Sequence, residues 1–207
     1  MKLISFEKNN NICLGAIEND LIYDLHAINS NIEESMLKFL EAGNEQLDLA
    51  EKAIQENEPS INISDVKLLS PLTNPISVRD AYAFRQHVAT ARRNRGLEMI
   101  PEFDEIPIFY FTNHNAVFGP GNFPVLSKHL GKLDFELECA AVIGKGGRNI
   151  SANKADDHVF GFMIMNDFSA RVMQMQEMKL NLGPAKGKDF GSSFGPWLVT
   201  KDELESY

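Results

Sequence analysis

LDFELECAAVIGKGG, residues 133–147, sets two glutamates two positions apart inside an otherwise apolar run. A strand alternates its side chains between two faces, so Glu136 and Glu138 share one face while Phe135, Leu137 and Cys139 share the other. In the bland reading the glutamate face meets water, the ordinary place for glutamate. The continuation Ala-Ala-Val-Ile argues for cover on both faces. Two covered carboxylates side by side repel one another and need a compensating cation.

Working outward, the 207 residues suit one large domain or a domain with a small appendage. A formal charge of −9 argues against a general nucleic-acid binder, because phosphate contacts need basic surface. The local exception, Arg92-Arg93-Asn94-Arg95, is a solvated patch or a site for an anionic substrate. Cys13 and Cys139 are the only cysteines and lie far apart, which speaks against a disulfide framework or a thiolate zinc site. No apolar run reaches membrane-spanning length, so no membrane partner is expected. The N-terminal stretch is broken by Glu7 and Lys8 before a signal-peptide core develops. The expected location is cytoplasmic.

Residues 1–28 alternate around Asn-rich breaks and predict a small antiparallel meander. Helical spacing follows at Ile32, Met36, Leu37 and Leu40, with Asn31 and Glu34 placed as a cap and Gly43 as the stop. Leu47, Ala50 and Ile54 predict a second helix, and INISDVKLLSPL a strand. A soft boundary over residues 58–72 divides a small N-terminal α+β domain, 1–70, from a β-rich domain, 71–207. In the latter, helix signals concentrate at 80–94 and 169–179. The fold class is α+β, not a parallel nucleotide-binding sheet: GPGN and GKGGRN lack the strand–glycine–helix context of a dinucleotide site.

Two further acids stand near predicted helix starts. Asp167 ends the apolar run GFMIMND and reads equally as a helix N-cap or a ligand; Asp80 lies in SVRDAYAF. Hard oxygen donors without clustered cysteines favour Mg²⁺, Mn²⁺ or Ca²⁺ over zinc.

RDAYAFRQHV, DFELECAAVIGKGGRNI and GFMIMNDFSARVMQMQEMKLNLGPAKGKDF stand in an order and spacing that resemble the fumarylacetoacetate hydrolase family. The resemblance covers nearly the whole chain. It implies a β-roll core behind a small N-terminal domain, and an enzyme that cleaves or rearranges small 1,3-dicarbonyl and 2-oxo acids with a divalent metal. It implies Asp80, Glu136, Glu138 and Asp167 as metal ligands and His87 as the base that activates water, a task suited to imidazole. Lys188 and Gln174 are implied as catalytic groups that stabilise negative charge. Tyr82, Arg95, Tyr110, Gln174 and Lys188 fall on positions that bind substrate, with Arg95 as a two-pronged carboxylate clamp. The implied partners are a small oxo-acid substrate and a second copy of the chain, as a homodimer.

Val172 and Met178 depart from the family pattern, which leaves the substrate open. The preferred reaction is hydrolysis of a C–C bond in a 3-acyl-2-oxo acid. Same-family alternatives are 2-oxo-acid decarboxylation and dienoate isomerisation; a non-catalytic, metal-stabilised binding protein is the rival from another class. Family members continue beyond the point where Trp197-Leu198-Val199-Thr200 forms this chain's last predicted strand. A C-terminally incomplete domain with an unpaired strand edge is therefore expected, covered by a second copy or prone to aggregation.

Overall fold

The computed structural model describes residues 1–205. Strands β1 (Lys2–Lys8), β2 (Asn11–Glu18) and β3 (Leu21–Asp24) form the expected meander. Their tight turns place Asn9, Asn10, Asn19 and Asp20 at positive φ, where a short polar side chain is tolerated best. Helices α1 (Leu25–Ile28), α2 (Met36–Ala42) and α3 (Asn44–Glu56) follow. The α2 cap is Ser35, whose side chain accepts from Lys38 N, so Asn31 and Glu34 lie ahead of the helix. Gly43 stops it at φ 75°, the conformation glycine adopts freely. INISDVKL is split by a short 3₁₀ turn into β4 (Ile61–Asn62) and β5 (Lys67–Leu68).

Beyond residue 70 come β6 (Val78–Asp80), α4 (Arg85–Arg93), α5 (Glu102–Glu105), β7 (Tyr110–Thr112), β8 (Val117–Phe118), β9 (Leu133–Asp134) and β10 (Leu137–Ile143). They are followed by β11 (Val159–Asp167), β12 (Ser169–Ala170), α6 (Arg171–Glu177), β13 (Ser192–Phe194) and β14 (Leu198–Thr200). Asp80 thus ends a strand five residues before α4, and does not open a helix. Asp167 likewise closes β11; the N-cap of α6 is Ala170, so the capping alternative for Asp167 falls. Ser192–Phe194 was not among the predicted strands.

One ten-stranded sheet runs through the chain in the order β4-β3-β2-β1-β14-β11-β13-β8, with β10 on β11 and β5 on β1. The expectation of an unpaired last strand is overturned. Val199 pairs with Lys2 on one side and Phe162 on the other, so the N-terminal strand supplies the neighbour that β14 needs. Gly161 is required at this crossing, because a Cβ there would stand 2.1 Å from the Val199 carbonyl oxygen. Leu3, Leu14, Phe39, Leu40, Ala50, Val142 and Leu198 form the main core between the helices and the sheet. Ile4, Phe6, Ile17 and Ile22 bury the opposite face of the meander. Among the described residues no helix is long and apolar enough to cross a membrane.

Candidate functional site

The β10–β11 pair answers the question posed by the two glutamates. Leu137 is opposite Asn166 and Glu138 is opposite Met165, while Asp167 N donates to the Glu136 carbonyl at 3.0 Å. The apolar face of this edge is the open one: Phe135 is 67% and Leu137 73% exposed. Glu136 and Glu138 point the other way, half-buried, so the reading in which they face water fails. Asp167 is fully buried at the end of β11. Asp80 reaches the same place from the antiparallel β6–β7 pair, where it stands opposite Tyr110. Oxygens of Asp80, Glu136, Glu138 and Asp167 lie within 4.8 Å of one another.

Two cations balance part of this charge. Lys188, 3% exposed, donates from Nζ to Glu136 Oε2 at 2.6 Å and to Asp167 Oδ2. Arg171 donates from Nη2 to Glu136 Oε1 at 2.7 Å, from Nε to Asp134 at 2.9 Å and from Nη1 to Gln174 Oε1 at 3.1 Å. Burial alone would raise the Glu136 carboxyl, but Lys188 and then Arg171 outweigh it and hold the group below its ordinary range. Glu138 has no such partner among the described residues. Burial first, then Asp80, Asp167 and Glu136, push it up to about 7.

The Tyr110 hydroxyl sits 2.6 Å from Asp80 Oδ2 and 2.7 Å from Asp167 Oδ2. One phenolic proton serves one of these oxygens at a time. Burial is the largest influence on the Asp167 carboxyl and raises it, while the hydrogen bonds from Lys188 and Tyr110 pull it the other way. Burial and the same two carboxylates raise the Tyr110 phenol. It therefore stays a hydrogen-bond donor at neutral pH.

These contacts leave the Asp167 Oδ1 atom buried without a hydrogen-bond partner among the described residues. An orphaned carboxylate oxygen, a partnerless Glu138 and four carboxylates against two cations together fit a divalent ion bound through oxygen. The residues present suit the group: Asp167 Oδ1 and Glu138 offer free oxygens, with Glu136 and Asp80 beside them.

The other predicted site residues are placed apart from this cluster or at its margin. Gln174 lies on α6 and touches it through Arg171. Tyr82, His87 and Arg95 belong to the outer segment 81–105. There Tyr82 stacks on Phe103 with centroids 6.1 Å apart, and Arg85 pairs with Asp104 at 2.8 Å. His87 is exposed on α4 in an open cleft with Phe84, Thr90, Ala91 and Asn94. Among the described residues no hydrogen bond or ion pair joins these three side chains to the carboxylates. Arg171 is the site residue that sequence reading missed. Its signal was its place in the Asp-Phe-Ser-Ala-Arg run, four residues past a predicted ligand.

The sequence model of the family described as "Fumarylacetoacetate (FAA) hydrolase C-terminal" matches residues 77–207. A fumarylacetoacetase of Oryza sativa subsp. japonica is 33% identical over 188 residues, covering 76% of this chain and 44% of that protein. The mitochondrial oxaloacetate tautomerase fahd2 of Xenopus laevis is 31% identical over 211 residues, 99% of this chain and 63% of that protein. The chain thus spans about half the length of these curated relatives. Maleylpyruvate hydrolase from Sphingobium sp. SYK-6, solved with manganese(II) ion and pyruvate, shares the fold at a TM-score of 0.71 and 20% identity, covering 99% of this chain and 69% of that one. A fumarylacetoacetate hydrolase from Exiguobacterium antarcticum does so at 0.66 and 24% identity, covering 99% and 68%.

Proposed function

Because this chain belongs to the fumarylacetoacetate hydrolase family, we propose that it is a divalent-metal enzyme acting on a small 2-oxo acid or 1,3-dicarbonyl compound through an enolate. The buried, partnerless Asp167 Oδ1 beside Glu138 carries the reading. Asp80, Glu136, Glu138 and Asp167 would hold Mg²⁺ or Mn²⁺. When bound, such an ion supplies positive charge next to the substrate oxygens that become an enolate.

The chain's own groups have definite tasks in this reading. Lys188 spends two of its three N–H donors on Glu136 and Asp167 and keeps one for a developing oxyanion. Gln174 turns its oxygen to Arg171, which leaves its amide N–H groups for substrate. In the preferred reaction, hydrolysis of a 3-acyl-2-oxo acid, water oxygen bonds to the acyl carbon and its proton passes to His87. The electron pair of the broken C–C bond goes to the departing enolate, which takes up a proton. His87 reaches the reacting centre by closure of the 81–105 segment, which starts directly after Asp80.

A second reading, keto–enol tautomerisation of a 2-oxo diacid, is favoured by the relative aligned over 99% of this chain, an oxaloacetate tautomerase. It needs no attacking water and so makes no demand on the exposed His87. Steady-state assays of acylpyruvate cleavage and of oxaloacetate keto–enol exchange, each with Mn²⁺ or with chelator, separate the two. Metal-dependent cleavage lost in His87→Ala supports hydrolysis. Exchange that survives His87→Ala, without cleavage, supports the tautomerase. Neither activity with metal present would sink the enzymatic reading.

A further inference from the structure

We propose that Glu177 is a positioning residue that fixes Lys188 between Glu136 and Asp167 by gathering the backbone of the preceding loop. Glu177 closes α6 with no basic residue in the last turn. A carboxylate there opposes the negative end of the helix, so helix stability does not explain its place. Its contacts do. Oε1 accepts from Ala185 N at 2.9 Å and Gly187 N at 3.0 Å, and Oε2 accepts from Lys186 N at 2.7 Å. Three successive amides converging on one anion make a small backbone nest, here filled by the protein's own side chain.

Gly187 presses this loop against α6: a Cβ at that position would lie 2.7 Å from Gln174 Cα and 2.8 Å from its backbone N. The Gly187 carbonyl accepts from Ala170 N at 2.8 Å, and Lys188 N donates back to the Ala185 carbonyl at 2.8 Å. The loop is thus held from three sides, and the next residue is the buried Lys188. Lysine has a long side chain with much rotamer freedom to lose on burial. Fixing its backbone on both faces limits that freedom to the arc that reaches Glu136 and Asp167. Glu177 touches neither carboxylate and acts through Lys188.

This inference deepens the metal-enzyme reading and rests on it for its consequence in turnover, but its structural core is testable without turnover. The intact protein is treated with limiting acetic anhydride, and modification of Lys188 is quantified by mass spectrometry against exposed Lys186 in the same loop. Lys188 should be protected in the wild type. In Glu177→Ala its modification relative to Lys186 should rise at least about tenfold with far-UV dichroism unchanged. Glu177→Gln, which keeps one acceptor oxygen, should fall between the two. Turnover should drop in Glu177→Ala chiefly through kcat, and adding Glu177→Ala to Lys188→Met should cost nothing further. Lys188 as protected in Glu177→Ala as in the wild type overturns the proposal. If the alanine variant does not fold, wild-type protection in Glu177→Gln overturns it. A wild type without turnover on any oxo acid fails the metal-enzyme reading alone, and the labelling still decides the role of Glu177.

Discussion

Lys188 Nζ donates to Glu136 Oε2 at 2.6 Å across 52 residues of chain, inside a pocket where the lysine side chain is almost wholly buried. The same ammonium holds Asp167, so one cation orients two of the four carboxylates. Lys188→Met removes it without removing its bulk. Breaking a buried pair by deleting one partner leaves uncompensated charge, at a cost of about 3 kcal/mol. Urea unfolding of the metal-free variant should show that loss at neutral pH, and a smaller one near pH 5, where the carboxyls can take up protons. Activity should fall at least about 100-fold, because the free third N–H is lost as well.

Glu138 gives the metal-free protein an unusual pH dependence. Its carboxyl is raised from 4.5 to about 7, so the folded state binds a proton that the unfolded state has already released. Where the native state holds more protons, stability falls as pH rises. The chelated protein should therefore lose stability from about pH 4.5 to 7, while Mn²⁺ affinity rises over the same window as the proton leaves its ligand. Thermal midpoints measured with chelator and with Mn²⁺ should run in opposite directions.

Glu138→Gln should separate stability from metal binding. It deletes a charge that repels Asp80, Asp167 and Glu136, so the metal-free protein should melt higher at pH 8 than the wild type. It also weakens a hard oxygen donor, and Mn²⁺ affinity should drop about 10–100-fold by calorimetric titration. A variant less stable without metal would mean that Glu138 has a cationic partner.

What the sequence made legible was local. Strand alternation put Glu136 and Glu138 on one face, and the meander, α3 and Gly43 followed from spacing and turn residues. The family resemblance supplied Asp80 and Asp167 as companions, which MND and RDAY alone did not. Which face of the 135–143 stretch turns inward was not legible from the residue pattern alone, because the outward face carries Phe135 and Leu137, the residues that ordinarily mark a core. The pairing of Leu3 with Leu198 was hidden for another reason: it joins segments nearly the whole chain apart, and no local pattern encodes such a register. Arg171 and Glu177 escaped notice because their partners, Glu136 and the 185–187 amides, come together only after β10, α6 and the loop have packed.

Gly187→Ala tests the packing of that loop on α6. The added methyl meets the Gln174 Cα, Cβ and backbone N at 2.7–2.8 Å, none of them the far end of a flexible side chain. We expect destabilisation of about 1–3 kcal/mol by urea unfolding. Activity per folded molecule should fall too, since displacing the loop moves Lys188. Full activity with lowered stability would show that Lys188 tolerates the shift.

The central claim is that Asp80, Glu136, Glu138 and Asp167 form one divalent-metal centre. Anomalous diffraction from crystals of the intact chain soaked in Mn²⁺ tests it most directly. One strong peak is predicted within about 2.6 Å of Asp167 Oδ1 and a Glu138 oxygen, with Lys188 still on Glu136. No peak in the cluster at saturating Mn²⁺, with Lys188 and Tyr110 keeping their contacts, would contradict it.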